Sequence, residues 1–226
     1  MLKTIVSLSG GLDSAVLLSQ TVKDKDPSKI RCFSFNYGSK HNEYENRAAR
    51  KIASHYKVCF DLIDISGIMK HFKSALLLTG EDIPEGHYED KSMSKTVVPS
   101  RNMIFISILS GIAESIGYRE IQIGVHAGDH AIYPDCRPEF IDSMCDSVHE
   151  GTGQQIVLSA PFLNLNKKNI VALGHALGTP FELTRTCYKN QRTACGKCGS
   201  CVERLEAFQE NAIKDPIKYK KDKLCQ

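Results

Sequence analysis

Short apolar runs alternate with stretches of helical periodicity along this chain. Residues 2–9 (LKTIVSLS) form an apolar run that stops at Gly10 and Gly11, and from 12 to 21 the apolar positions fall at helical spacing. That order predicts a strand, a glycine turn and a helix. Residues 30–36 (IRCFSFN) read as a second strand, 43–56 as a helix with Ala48, Ala49, Ile52 and Ala53 on one side, and 58–65 as a third strand. Between 66 and 100 the pattern loses its period, with Pro84, Gly86 and many polar side chains. This stretch reads as a mobile excursion over an active site. Beyond it, 102–116 is a strongly apolar helix, 121–125 a strand, 138–150 a helix, 156–162 a strand, and 167–177 a helix capped by Asn166.

Strands alternating with helices predict an α/β fold, a doubly wound parallel sheet covered on both faces. Ligands of such sheets bind beyond the carboxyl ends of the strands, which points to residues 9–14, 36–41 and 126–137. No repeat, low-complexity segment or linker interrupts the pattern. Residues 1–180 read as the α/β domain, and 181–226, with a cysteine cluster and a last helix at 202–212, as a small segment packed on it.

Composition narrows the class. The 226 residues are 42% hydrophobic and 24% charged, ordinary for a soluble globular protein able to bury its own core. A formal net charge of +3 is too small to argue for a nucleic-acid partner. No apolar run approaches the roughly 18–20 residues of a membrane span, and glycines cut the N-terminal run too early for a secretory signal. The expectation is a cytoplasmic enzyme of small molecules, without nucleic-acid or membrane partners, whose nine cysteines stay reduced. Five of these, Cys32, Cys59, Cys136, Cys145 and Cys225, are scattered and read as small buried or tolerated thiols.

Residues 9–14 (SGGLDS) sit where the first strand turns into the first helix. Paired glycines let the backbone turn tightly and present N–H groups to an anion, and the helix N-terminus adds donors and partial positive charge. Ser9 and Ser14 add hydroxyl donors. Asp13 is out of place beside an anion unless it orients a donor or helps hold Mg²⁺. Capping alone could explain a Gly-Gly turn followed by Asp and Ser, but the whole hexapeptide between strand and helix favours a phosphate cradle. It lacks the lysine of the Walker A pattern, which disfavours kinase-like or GTPase-like chemistry. SGGLDS resembles the PP-loop of the ATP pyrophosphatases, enzymes with an adenine nucleotide α-hydrolase-like fold that adenylate a carboxylate or carbonyl oxygen. The resemblance implies ATP with Mg²⁺ as co-substrate, and AMP and pyrophosphate as products.

Cys187, Cys195, Cys198 and Cys201 supply four thiolates within fifteen residues, with Gly196 and Gly199 for the tight turns between them. A closed tetrahedral Cys₄ shell suits one structural Zn²⁺ per chain. A disulfide pair, an iron–sulfur cluster and a redox CxxC are the rivals, and the proline expected after a nearby fourth cysteine of a ferredoxin pattern is absent.

Two further segments carry chemistry. Asp135 and Arg137 stand two residues apart on a proline-framed stretch (YPDCRPEF). Asp135 could accept both N1–H and the exocyclic amine of a guanine-like base, and Arg137 suits a substrate carboxylate; an internal ion pair closing a turn explains them equally well. Arg101, at the start of the apolar helix, reads as an anion clamp or as a neighbour of a simple Ser100 cap.

SGGLDS, SFNYGSKH, VPSRN, YPDCRPEF, ELTRTCY and CGKCGSC occur together and in this order. In that combination the chain resembles the 7-cyano-7-deazaguanine synthases of the queuosine-precursor pathway, from about residue 3 to 217. The resemblance implies conversion of 7-carboxy-7-deazaguanine and ammonia to the 7-cyano compound, through one adenylation that yields an amide and a second that yields the nitrile. It places ATP phosphates at Ser9, Gly10, Gly11, Asp13 and Ser14, with Leu8 and Leu12 completing the loop, and adenosine near Phe35 and Tyr37. It assigns zinc to the four clustered cysteines, phosphate neutralisation to Lys167 and a homodimeric state. Lys167 could also be a solvated helix-start lysine. Asn36 stands where many relatives have Asp, and His126 where many have Asn. The length leaves no room for a glutaminase domain, so free ammonia is the expected nitrogen donor. A tRNA thiolase or an amide-forming ligase of the same superfamily is the nearest alternative, and a nucleotide-sensing module without turnover a more distant one.

Overall fold

Alternation along the central strands decides which helix lies on which face. The computed structural model describes residues 2–153 and 155–220; Cys225 lies outside them. The strands β1 (Thr4–Ser7), β2 (Ile30–Asn36), β3 (Cys59–Asp64), β4 (Glu120–Gln122) and β5 (Val157–Ser159) form a parallel sheet in the order β3-β2-β1-β4-β5. The helices are α1 (Leu12–Asp24), α2 (Asn42–His55), α3 (Ser66–Met69), α4 (Arg101–Ser115), α5 (Pro138–Gly151), α6 (Lys167–Ala176) and α7 (Gly199–Glu210). Successive strand residues point to opposite faces. Ile5, Phe33 and Ile121 meet Leu109 of α4 and Ile141 of α5, whereas Val6 and Cys32 meet Leu17 of α1, Ile52 of α2, Ile170 of α6 and Phe208 of α7. The last helix thus shares the core of the first. Each fully buried Leu, Ile or Phe contributes roughly 1.5–3 kcal/mol, more than a typical neutral hydrogen bond at about 1 kcal/mol. Apolar packing sets the frame on which the polar site is hung.

Three elements differ from the sequence pattern. β4 and β5 keep three residues each. Ile123 still donates to Ser159 O at 3.0 Å, but at Gly124 the chain passes against α1, where a methyl would lie 3.4 Å from Ser14 N, and leaves the ladder to line the site. The stretch 66–100 is anchored rather than loose: Leu76, Leu77 and Met93 are buried, and Ala75 N–H donates to Lys95 O at 2.8 Å. Its polar composition masked those anchors. Lys91–Ser115 is apolar enough overall to match a membrane span, yet Ser100 adopts a left-handed φ of 54° and breaks it. α4 alone has 15 residues, about 22 Å, short of a ~30 Å hydrocarbon core.

Gly174 of α6 shows how tightly the α1 side is packed. A methyl there would lie 2.5 Å from Phe181 Cζ and 2.6 Å from Val16 Cγ2. Alanine favours a helix over glycine by ~1 kcal/mol, but overpacking costs about 1–3 kcal/mol. Gly174→Ala should therefore lower the urea midpoint with an unchanged slope; a raised midpoint would mean that Phe181 moves aside freely.

Candidate active site

The loop after β1 can turn as it does because residue 10 is glycine. Gly10 has φ 84°, and a methyl on it would lie 2.3 Å from Glu45 O and 2.7 Å from Ala49 N of α2. Ser9 Oγ accepts from Gly11 N at 3.2 Å and lies 3.1 Å from Ser14 Oγ, while Ser14 Oγ–H reaches Gly11 O at 3.2 Å. No side chain caps the N-terminus of α1. Among the described residues no capping side chain meets its first turn, so that end of the helix and its dipole can receive an anion. Leu8 is wholly buried behind the loop and Leu12 packs in the same core.

Lys167 comes to this loop from α6. Asn166 forms a capping box with Asn169, accepting its N–H at 2.9 Å, and so fixes where the helix begins. Lys167 Nζ donates to both Asp13 oxygens at 2.9 and 2.8 Å and lies 3.2 Å from Glu203 Oε2. Burial would lower the lysine's pKa, but Asp13, Glu203 and Asp129 raise it, so it stays charged. Burial would likewise raise Asp13; Lys167 and His126 outweigh it and hold that carboxyl below the usual range. Glu203 is pushed up by burial against the pull of Lys167 and His126. A solvated helix-start lysine is excluded by this geometry.

His126, Asp129, Glu203, Arg185 and Tyr188 also face the cleft; the motif ELTRTCY covers Arg185 and Tyr188 and His126 stood out only as a departure from relatives, so none of the five was assigned a place in the site from sequence. His126 is 1% exposed, with Nδ1 accepting from Gly128 N at 3.1 Å and Nε2 lying 3.3 Å from Asp129 Oδ2 and 2.9 Å from Lys167 Nζ. Arg185 N donates to Gly10 O at 2.8 Å, and its guanidinium stands 4.8 Å from the Tyr44 ring. The signals available were position after β4 for the first two, and membership in ELTRTCY or proximity to the cysteines for the rest.

The far wall is built on α4. Arg101 faces the cleft 6.0 Å from the Tyr37 ring, and Tyr37, pushed up to about 12 by burial, stands edge-on to Phe105. Phe35 stacks on Phe105 at 4.0 Å behind this surface. Ser100 makes no cap; instead Asp135 Oδ2 accepts Asn102 N–H at 2.8 Å, capping α4 from a distant loop. Arg137 is exposed and donates from Nε to His130 O at 2.9 Å. Neither Asp135 nor Arg137 lines the cleft, and among the described residues they form no ion pair with each other. The cleft therefore brings together Ser9, Gly11, Leu12, Asp13, Ser14, Tyr37, Arg101 and Lys167 of the residues expected from the sequence, and leaves Leu8, Gly10, Phe35 and Asp135 behind its walls and Arg137 on the surface.

Cys187, Cys195, Cys198 and Cys201 are all buried, with their sulfurs within 4.8 Å of one another, and could hold a metal ion. Cys195 N donates to Cys187 Sγ, and Lys197 N and Cys198 N to Cys195 Sγ, each at 3.3 Å. α7 begins inside this knot rather than after it, so Cys201 lies in its first turn and Glu203 and Arg204 follow at once. Arg204 is 1% exposed and fully engaged, by Asp215 at 2.8 and 2.9 Å, Thr184 at 2.6 Å and Thr186 at 2.9 Å. The knot and this arginine fix the helix that presents Glu203 to Lys167.

Residues 3–212 match the family described as queuosine biosynthesis protein QueC. This chain belongs to that family. It is 43% identical to 7-cyano-7-deazaguanine synthase 1 of Colwellia psychrerythraea over 96% of this chain and 98% of that one. With the 7-cyano-7-deazaguanine synthase of Pseudoalteromonas atlantica it shares 42% identity over 96% and 98%. Among solved structures, the U34-tRNA thiolase NcsA from Methanococcus maripaludis with its 4Fe–4S cluster superposes with a TM-score of 0.52 at 15% identity, over 93% of this chain and 67% of that one. NMN synthetase from Francisella tularensis gives 0.50 at 14%, over 94% and 79%. At such identities these two show the shared fold alone.

Lys167→Met would leave Asp13 and Glu203 without their cation. It should lower the melting temperature, and Asp13→Asn added to it should cost less than the sum of the two changes. A double-mutant cycle by denaturant unfolding is expected to give a coupling of about 0.5–3 kcal/mol; strict additivity would show that the pair carries no stability.

Proposed function

We infer that this chain is an ATP-dependent 7-cyano-7-deazaguanine synthase, which converts 7-carboxy-7-deazaguanine and ammonia to 7-cyano-7-deazaguanine (preQ0). Within the family assignment, one observation carries the chemistry. A single cleft joins an uncapped phosphate loop to Arg101, a guanidinium with no carboxylate in salt-bridge contact among the described residues. A substrate that bears a carboxylate beside ATP fits those two ends.

In the first step a carboxylate oxygen of the substrate attacks the α-phosphorus of ATP, and pyrophosphate leaves. Ammonia then attacks the acyl carbon; the C–O bond to AMP breaks, a proton is lost and the amide remains. The amide oxygen attacks the α-phosphorus of a second ATP and displaces pyrophosphate, and loss of AMP with two protons from nitrogen leaves the nitrile. Both activations turn a poor leaving oxygen into a good one, so the protein's task is positioning and charge stabilisation. Ser9, Ser14 and the loop backbone would hold the phosphates, and Lys167 would neutralise charge as pyrophosphate departs. Asp13, with both oxygens engaged by Lys167, would orient that lysine, while Mg²⁺ enters with ATP. Arg101 would pair with the substrate carboxylate, and Asp135 would fix the helix that presents it. Tyr37 would border the adenosine, with Phe35 supporting it through Phe105.

The cysteine knot suits one zinc ion. Four sulfurs each ~2.3 Å from one ion would lie about 3.8 Å apart, and Cys195 and Cys201 stand 3.9 Å apart. A four-iron cluster places each thiolate on a different iron and so needs a wider set. We read residues 181–226 as this metal-binding segment closing a nucleotide-binding domain of 1–180. Chelation should lower the melting temperature by several degrees and weaken ATP binding, because α7 carries Glu203; calorimetry of metal-free protein with the same melting point would remove the structural role. Apolar side chains left exposed on α4 and at its C-cap, Met103 at 44% and Ile116 at 37%, support a homodimer. Reduced thiols support a cytoplasmic setting. A thiolase reading is less favoured, since all four clustered sulfurs are buried.

Protein loaded with zinc and incubated with ATP, Mg²⁺, ammonium and 7-carboxy-7-deazaguanine should yield the nitrile and AMP by mass spectrometry. The amide alone would identify an amide-forming ligase, and absence of AMP would overturn the functional reading.

A further inference from the structure

The four cysteines are unevenly spaced. Residues 188–194 separate Cys187 from Cys195 and form neither helix nor strand. Holding both sulfurs on one ion would close this stretch into a ring. Two of its backbone carbonyls accept from one side chain that lies outside it. Arg185 Nη2 donates to Lys189 O at 2.7 Å, and Nη1 to Arg192 O at 3.4 Å. A rigid guanidinium fork can bridge two such acceptors where a lysine could not.

That guanidinium has little else to hold it. Arg185 is 8% exposed, and its head packs over the Tyr44 ring of α2 at 4.8 Å. Its Nε is buried without a hydrogen-bond partner, and among the described residues no carboxylate pairs with it. A buried cation with so few acceptors depends on each of them. Release of the ring would therefore move the arginine as well.

The main chain of the same residue holds the phosphate loop. Arg185 N donates to Gly10 O at 2.8 Å, and a methyl on Gly11 would lie 3.7 Å from Arg185 O. One residue thus touches the cysteine ring with its side chain and the phosphate loop with its backbone. We propose that Arg185 is a positioning residue that couples metal occupancy of the cysteine knot to the shape of the phosphate loop. Metal release frees residues 188–194, their carbonyls leave the guanidinium, and the bond to Gly10 loosens with it. This route is separate from the one through Glu203, because it acts on the loop and not on Lys167. It rests on the reading of that loop as the ATP site. Linkage makes the coupling reciprocal: ATP tightens the hold on metal by the factor by which metal tightens the hold on ATP.

The test measures ATP binding by calorimetry, with Mg²⁺ and no acid substrate, below the melting temperature of the zinc-free protein. In the wild type, zinc removal should weaken ATP binding about tenfold, within the usual range of such couplings. In Arg185→Met the same removal should matter about threefold less, the remainder passing through Glu203. An arginine that serves the fold alone would weaken ATP binding equally with and without zinc. The ratio would then keep its wild-type value, and the proposal would be overturned. If Arg185→Met fails to fold, hydrogen exchange on the wild type decides. The Arg185 amide, which donates to Gly10, should lose protection when zinc is removed; equal protection in both forms overturns the coupling. Zinc-loaded wild type that binds no ATP would instead remove the functional reading of the loop, and the proposal with it.

Discussion

One ammonium group, that of Lys167, balances carboxylates from three separate segments: Asp13 at the start of α1, Glu203 on α7 and Asp129 in the loop after β4. Charges of this kind are stable in a poorly hydrated site only when each meets an opposite partner. The positions of α1, α6 and α7 at the mouth of the sheet are therefore mutually constrained through a single side chain. An arriving phosphate meets a lysine already engaged. Its first attraction must come from the uncapped helix and the loop backbone, and the lysine contributes as charge redistributes.

A second constraint acts on the same helix from its other side. The four cysteines surround the first turn of α7, and Arg204, one turn on, is held by Asp215, Thr184 and Thr186. Metal binding at such a knot contributes directly to folding free energy. Because Glu203 lies between Cys201 and Arg204, that stability reaches the charge balance at Lys167 without any intervening loop. The knot adjoins the cleft through Thr186, Tyr188 and Ser200 and sets the orientation of a cleft-lining carboxylate.

The sheet was legible because β1 and β2 carry apolar side chains on both faces, and α6 because Asn166 and Asn169 form a local cap. The phosphate loop and the cysteine cluster were legible as well, since each is encoded within fifteen contiguous residues. What escaped was encoded at long range. Asp135 replaces Ser100 as the cap of α4 across 33 residues of chain, and spacing alone gives no sign of that. Glu203 looks like an ordinary surface glutamate of an amphipathic helix until α6 brings Lys167 against it. The strand after Glu120 ends early because Gly124 must pass α1, a steric demand that exists only in the assembled fold.

The central place of β1 bears on the order in which the molecule can be made. β1 pairs with β2 some 26 positions later, Thr4 with Ile30, but its other neighbour is β4, where Thr4 meets Glu120. During synthesis the first strand is therefore half-satisfied for about half the length of the chain, and β5 must follow before β4 is covered. Parallel pairings of such separation form slowly and leave unpaired edges in the meantime. A nascent chain stalled before residue 120 would present β1 as an open edge, a natural client for a holding chaperone.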